Sequence, residues 1–419
     1  MARAKPFDIP KREVWEAYKR VRANQGAAGV DEQSIADFEA DLTNNLYKLW
    51  NRLSSGSYHP PPVRRVDIPK GEGGQTRPLG IPTVADRIAQ TVVKRYLEPL
   101  VEPCFHPDSY GYRPGKSALD AVGVARQRCW RYAWVLDLDI QSFFDRIDSA
   151  LLMRAVRKHT DCPWVLLYIE RWLKAPVQMA DGSLVARERG VPQGGVISPL
   201  LSNLFLHYTF DIWMARNHSN IPFERYADDA ICHCRSEEEA KTLWASLEER
   251  FAQCALTLHP DKTKVVYCKD DDRRGEYLDH RFDFLGYTFR PRLSRRWKGF
   301  GVSFSPAASG KALKSIRQTV RHWALHQRSD KTLDDLARMF NSHIRGWINY
   351  YGRYYKSALY PTLRHIDRIL ARWAHRKFKS LRRHKRRTHH WLANVIQRQP
   401  DLFVHWKLLY GRGRTMGAG

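Results

Sequence analysis

Hydrophobic and polar positions along the chain change period several times, and each change predicts an element. Residues 11–56 alternate apolar and charged positions at helical spacing, interrupted by the turn Gly26-Ala27-Ala28-Gly29, and predict a helical N-terminal lobe. From Tyr58 to Pro82 the pattern turns to proline, glycine and β-branched residues. Segments 63–69 and 78–81 flank a basic tip with Lys70, Gly71, Gly73 and Gly74, which reads as a hairpin. Amphipathic helices follow at 83–101 and 117–131. Residues 133–140 then alternate, with Leu136, Leu138 and Ile140 on one face and Val135, Asp137 and Asp139 on the other, so a strand carries carboxylates on one side.

Further on, the pattern predicts helix over 149–175, a short hairpin at Asp181-Gly182, and a Pro/Gly-rich stretch, 190–199, leading into a helix at 200–216. Two short strands, 223–226 and 230–234, bracket Asp228-Asp229; a helix covers 235–256, and strands cover 263–268 and 282–289. Strand signals fade after about Pro306, where aromatic-rich helices begin, and a domain boundary is expected there.

Charge changes the picture next. Lys and Arg number 70 against 44 Asp and Glu, a formal charge of +26. Such a chain repels itself unless a polyanion screens it, so nucleic acid is the first partner to consider. With 43% hydrophobic and 12% aromatic residues it still builds cores, which excludes a disordered basic tail. Residues 371–419 hold 13 Lys and Arg and a single acid, Asp401. The first 21 residues contain no apolar core of a secretory signal. The uncharged run 190–210 is interrupted by Pro192, Gln193, Gly194, Gly195, Pro199 and Asn203 and reads as folded, so no membrane partner is expected. The seven cysteines form no C-x-x-C pair and none follows Cys268, which argues against a zinc ribbon or a disulfide framework and for a reducing cytoplasm.

The chemistry lies in the acids. Two-metal nucleotidyl transfer needs two or three carboxylates converging on cations roughly 3.5–4 Å apart, and Mg²⁺ takes few protein ligands. Asp139 on a strand and Asp228-Asp229 at a hairpin turn supply that number. An Asp-Asp pair alone is an ordinary solvated turn; its setting between apolar strands, about 90 positions after the acid-bearing strand with Phe143-Phe144, changes the reading. Alternation by itself does not separate Asp137 from Asp139.

The order of these segments resembles the bacterial group II intron reverse transcriptases, or maturases, over nearly the whole chain. Residues 26–34 resemble the family's N-terminal extension, 77–87 (Arg-Pro-Leu-Gly-Ile-Pro-Thr-Val-Ala-Asp-Arg) its first polymerase block and 109–119 (Ser-Tyr-Gly-Tyr-Arg-Pro-Gly-Lys-Ser-Ala-Leu) its second. Asp139-Ile-Gln-Ser-Phe-Phe-Asp145 is similar to the metal-binding block, and Tyr226-Ala-Asp-Asp229 completes it. Residues 193–203 are similar to the nucleotide-pocket block, Phe284-Leu-Gly-Tyr287 to the primer-side block, and Gly346-Trp-Ile-Asn-Tyr-Tyr-Gly352 to the thumb or maturase domain. The resemblance implies an α+β, right-hand polymerase with fingers, a palm built on an antiparallel sheet, a helical thumb and a small basic helical C-terminal domain. The expected boundaries are 1–56 for the N-terminal extension, 57–305 for fingers and palm, 306–370 for the thumb and 371–419 for a DNA-binding domain.

It further implies that Asp139, Asp228 and Asp229 hold two Mg²⁺ ions, spacing to Phe144 selecting Asp139, with Asp137 and Asp145 structural. Lys70, Arg77, Phe144, Gln193 and Lys262 would bind the dNTP. A ring beneath the sugar excludes a 2′-hydroxyl, and one of Phe143 and Phe144 is expected to be core. Trp347, Tyr350, Tyr351, Tyr354 and Tyr355 fall on one helix face and read as thumb core, opposite Arg345, Arg353 and Lys356, which suit phosphate tracking. Arg113 and, in the tail, Lys377, Arg382, Arg383, Lys385, Arg386 and Arg387 are the remaining nucleic-acid candidates. Target DNA is the expected partner of the tail, with a solvated helix face or another intron-RNA surface as the alternative. No late cysteines support an H-N-H nuclease, as in the short, endonuclease-lacking class. The implied activity is RNA-directed DNA synthesis by a protein that binds group II intron RNA, assists its splicing and copies it into DNA. Its partners are that RNA, an RNA template with a DNA primer, target DNA and dNTPs, in a bacterial cytoplasm near the nucleoid. A free-standing enzyme domesticated for defence or repair and a splicing-only maturase are the alternatives, and the intact acid set argues against the latter.

Overall fold

The computed structural model describes residues 5–69, 76–296 and 299–411, so Lys70 and its glycine-rich tip lie outside the described residues. The strands are β1 (Val63–Pro69), β2 (Thr76–Ile81), β3 (Trp134–Leu138), β4 (Val177–Gln178), β5 (Leu184–Val185), β6 (Phe223–Tyr226), β7 (Asp229–Cys234), β8 (Lys264–Tyr267), β9 (Phe282–Phe284), β10 (Tyr287–Arg296) and β11 (Gly299–Ala308). They form sheets of order β2-β1-β4-β5, β6-β7-β3-β8 and β11-β10-β9. The chain divides into two compact units, one made of 1–121 and 136–265, the other of 122–135 and 266–419, the division falling within β3 and β8. No helix among the described residues is long and apolar enough to cross a membrane.

In the first unit the predicted N-terminal helices appear as Lys11–Asn24, Ile35–Ala40 and Leu42–Ser55. β1 and β2 pair antiparallel as expected, and the short β4–β5 hairpin extends their sheet through a parallel pairing of β1 with β4. The helix Val84–Val101 begins at a Thr83 cap and buries one side chain after another. Near its start Asp86, fully buried, accepts from Tyr58, Gln90 and Trp172. Those three donors satisfy a carboxyl whose pKa burial raises. The predicted helix at 200–216 runs as Ser198–Leu206 and Ile212–Asn217, joined by one π turn over His207–Asp211.

The second unit corrects two expectations. The strand expected over 282–289 breaks at Leu285 and Gly286, both with positive φ, and β9 returns as β10. Residues 266–305 pack with the helices that follow them, Tyr287 being fully buried against Tyr350, Tyr351 and Tyr354. The boundary expected at 370 lies inside the helix Tyr360–Lys377. One apolar cluster runs from Ile316 to Leu409 and includes Trp373, Phe403 and Trp406. Buried Asp367 accepts from His405 (2.8 Å), Trp406 (2.8 Å) and Tyr410 (2.7 Å), tying the last helix, Val404–Tyr410, into that cluster. Thumb candidate and basic tail therefore share one core.

A chain ended after Leu370 should lose protection of the whole 310–370 region in limited proteolysis, since it discards Trp373 and Trp406. Trp406→Ala in the full chain should destabilise this unit by about 3–5 kcal/mol in denaturant unfolding, the usual cost of emptying a buried aromatic site.

Candidate active site

β3 delivers Asp139 one residue past its end. The backbone there is clamped by His259, whose N–H donates to the Asp139 carbonyl at 2.8 Å, and by Thr263 beside its amide. Across the site, β6 and β7 pair with Tyr226 opposite Asp229, so the two turn residues are Ala227 and Asp228 and Asp229 already begins β7. Ala227 takes φ of +57°, as tight hairpins between right-twisted strands require. The Asp229 carboxyl is pushed up to about 6 by burial and by the charges of Asp228 and Asp139, against the pull of Lys262 and Arg77. Its surface is open to solvent while protein crowds it from the sides, the situation of a group in a cleft. Asp139 is thus the acid of this strand that meets the hairpin pair. Asp137 is half-buried within β3.

These acids offer oxygen donors only. Among the described residues no three His, Cys, Asp or Glu side chains form a group that could hold a metal ion by themselves. An open face of carboxylates with mutual repulsion fits a hard divalent cation, which takes one or two protein carboxylates and completes its shell with water and phosphate. Lys262 Nζ stands 3.4 Å from both Asp139 oxygens.

The nucleotide-side candidates assemble around the 190–195 loop. Arg77 Nε donates to Gln193 Oε1 at 2.7 Å, and the Gly80 amide donates to the Gln193 carbonyl at 2.6 Å. Gly194 is required there: its φ is +111°, and a Cβ would collide with the Gly80 carbonyl oxygen. The same loop holds Phe144, whose carbonyl accepts from Val191 at 2.7 Å. Both phenylalanines are buried; Phe143 also packs its ring against Phe205, which makes it the core member of the pair.

Other candidates are placed differently. Arg113 is committed internally, to Glu102 (2.9 Å) and to the carbonyls of His106 (2.7 Å) and Ser109 (2.8 Å), so it braces a loop rather than facing nucleic acid. Lys377 likewise donates to the carbonyls of Ser329 and Lys331. The predicted aromatic face breaks at Gly352, where the helix Leu333–Tyr351 ends. Trp347 and Tyr351 pack on the helical core, whereas Tyr354 joins Tyr350 and Tyr351 around Tyr287. Arg345, Arg353 and Lys356 are exposed. In the tail Arg382 is exposed beside a concave surface of about 500 Å³ lined by His375, Arg383, His384, Lys385, Arg386 and Arg387.

Two arrangements escaped the sequence reading. Arg225, three positions before Asp228, is buried and donates to both oxygens of buried Asp211 (2.7 and 2.6 Å), to Asn203 (3.0 Å), to the Ala227 carbonyl (2.9 Å) and to Ser109 (2.8 Å). Burial alone would raise the Asp211 carboxyl; Arg225, helped by His207, holds it below the ordinary range. In the second unit Arg364, Arg368 and Arg372 are exposed at every fourth position of one helix, and the pKa of His365 is lowered by burial and then by Arg368, Arg321, Arg372 and Arg317. The spacing was legible as a helix face, but the proximity of two helices was not.

Comparison with known proteins follows the same segments. The family model "Reverse transcriptase (RNA-dependent DNA polymerase)" matches residues 68–289, and "Group II intron, maturase-specific domain" matches residues 313–391. Protein YkfC of Escherichia coli (strain K12) is 33% identical over 319 residues, covering 67% of this chain and 81% of that protein. Group II intron-encoded protein LtrA of Lactococcus lactis subsp. cremoris is 34% identical over 193 residues, 46% of this chain and 32% of its own length. Nuclear intron maturase 1, mitochondrial, of Arabidopsis thaliana is 28% identical over 149 residues, covering 34% of this chain and 21% of its own.

Replacing Arg225 by Met leaves Asp211 in the interior without its guanidinium and with only His207 beside it, which should cost about 3–5 kcal/mol in equilibrium unfolding. Pairing it with Asp211→Leu should recover a large part of that loss.

Proposed function

The chain belongs to the reverse transcriptases, and on that premise we propose that it is an RNA-directed DNA polymerase of the group II intron type, which binds its intron RNA, assists splicing and copies the RNA into DNA during intron mobility. The observation that supports this most is the meeting of Asp139, just past β3, with Asp228 and Asp229 of the β6–β7 hairpin, beside Arg77 and Lys262. In this reading β1, β2 and the helices before and after them are fingers, the β6-β7-β3-β8 sheet is the palm, and the helices from Gly310 onward are the thumb with a basic extension. The enzyme works in the bacterial cytoplasm, on intron RNA, on an RNA template with a DNA primer, and on target DNA beside the nucleoid.

Asp139 and Asp228 would hold two Mg²⁺ ions with Asp229 alongside; when bound, the ions offset negative charge on the attacking 3′-oxygen and on the departing diphosphate. The protein supplies positioning and fixed charge around that reaction. Arg77 uses Nε on Gln193 and leaves its two terminal nitrogens for a triphosphate. Lys262, paired with Asp139, is released to phosphate once the acid is otherwise engaged. Lys70, which lies outside the described residues, would add a further cation. Phe144, locked by Val191, forms the floor beneath the sugar and selects dNTPs over rNTPs by leaving no room for a 2′-hydroxyl. Backbone phosphates of the template duplex and of the intron are taken by Arg345, Arg353 and Lys356, by the Arg364–Arg368–Arg372 ladder, and by the tail's Arg382, Arg383, Lys385, Arg386 and Arg387.

Asp228→Ala should abolish primer extension at millimolar Mg²⁺ while RNA affinity in a filter-binding titration stays within about twofold, because it removes charge stabilisation and no phosphate contact. Extension at the wild-type rate would overturn the active-site assignment. Phe144→Ala should lower the ratio of kcat/KM for dNTP to that for rNTP, the quantity that defines selection. Changing Arg364, Arg368 and Arg372 together to Gln should flatten the salt dependence of RNA binding, each lost phosphate contact lowering the slope of log K by roughly 0.7–0.9. An unchanged slope would remove the ladder from the binding surface.

A further inference from the structure

Tyr112 takes a left-handed backbone, φ of +58°, and is 51% exposed. Bulky side chains rarely adopt that conformation, because the Cβ crowds the following carbonyl, and they persist in it where the surroundings over-determine the backbone. The surroundings here do so from four directions. Ser109 makes a parallel bridge to Arg225, with the Tyr110 amide donating to the Arg225 carbonyl (2.8 Å) and the Arg225 amide to the Asp108 carbonyl (3.0 Å). Gly111 lies so close to the catalytic hairpin that a Cβ would collide with the Ala227 amide nitrogen. The Gly111 carbonyl accepts from Asn203 at 2.6 Å. Arg113, on the other side, clamps the loop through Glu102, His106 and Ser109.

All this bracing presents one aromatic ring. It stands 6.2 Å from the Tyr226 ring, centre to centre, tilted by 47°. Its phenol is raised by burial and then by Asp228, Tyr226 and Asp229, while Arg77 pulls it down, so the hydroxyl lies within electrostatic reach of both the acids and Arg77. On the reading above, the acids mark where the primer 3′-oxygen meets the α-phosphate and Arg77 marks the phosphates beyond. A ring within reach of both lies where the newly forming base pair must sit.

We propose that Tyr112 is a positioning residue for polymerisation: its ring forms a wall against the base pair between template and incoming nucleotide, with Tyr226 as the neighbouring wall on the primer side. The contact is made by the face of the ring, which tolerates any base because every base presents an apolar face. The inference rests on the polymerase reading. It assigns no bond-making to Tyr112, whose effect is on alignment.

The left-handed backbone makes the test clean. Tyr112→Gly removes the ring and relieves the backbone at once, so a merely structural role predicts an unfolding temperature equal to or above wild type and unchanged kinetics. The positioning role predicts that same unfolding temperature together with a loss of about tenfold or more in kcat/KM for dNTP on a fixed primer–template, carried largely by KM, and more frequent misincorporation. Tyr112→Phe keeps the ring and should restore kcat/KM to within about threefold of wild type. A glycine variant that extends and discriminates like wild type overturns the inference and leaves the polymerase reading intact. A phenylalanine variant as defective as the glycine variant overturns the ring contact in favour of the hydroxyl. A wild-type protein that extends no primer overturns the polymerase reading and this inference with it.

Discussion

The buried ion pair between Arg225 and Asp211 is the constraint on which the catalytic region depends. A guanidinium has five donors in a fixed fork, and here the fork is filled from four separate segments: Asp211 in the π turn, Asn203 one helix earlier, Ser109 in the 108–112 loop and Ala227 at the hairpin tip. Two charges out of water gain little by themselves. What the pair supplies is a tie between the hairpin and three other segments, since one guanidinium bonds to all four. Asp228 and Asp229 therefore sit at the end of a strand whose first turn residue is gripped from behind, and the same grip carries Gly111 against the hairpin.

Charge is distributed to match. Burial, and after it the charges of Asp228 and Asp139, raise the Asp229 carboxyl to about 6 within a chain whose formal charge is +26. The nearby cations do not cancel them: Lys262 is 3.4 Å from Asp139, and Arg77 is tied to Gln193. That imbalance leaves a local demand for positive charge, which divalent cations meet, beside a supply of cations for phosphate. In the second unit Arg345, Arg353, Arg364, Arg368 and Arg372 face solvent, where a polyanion can reach them.

The second unit shows how a basic surface is kept folded. Its exposed arginines and lysines ride on helices whose inner faces are stacked aromatics, Trp323 on Phe340 at 4.2 Å and on Trp347 at 5.6 Å, and whose last helix is anchored by Asp367. Lys377 is spent on carbonyls and the ladder arginines are not, a difference that follows from which helix face each occupies. The maturase-specific match, 313–391, ends within this shared core rather than at its edge.

The chain's own pattern determined much of this. Strict alternation at 133–140, helical spacing through the N-terminal lobe, and the Asp228-Asp229 turn between apolar strands were all legible, because local periodicity and turn chemistry act over a few residues. Charge likewise identified the class of partner, being a property of composition alone. Long-range geometry decided the rest. Arg113 and Lys377 looked like surface cations, and only the folded chain brought them the carbonyls that absorb their donors. Arg225 looked like one more arginine, and only packing made it the centre of the site. The break at Leu285-Gly286, the helix running through residue 370 and the ladder formed by two helices depend on which segments meet. A sequence specifies each side chain's donors and acceptors, but which partners satisfy them is settled when distant segments are buried together, since the cost of an unpaired polar group arises only there.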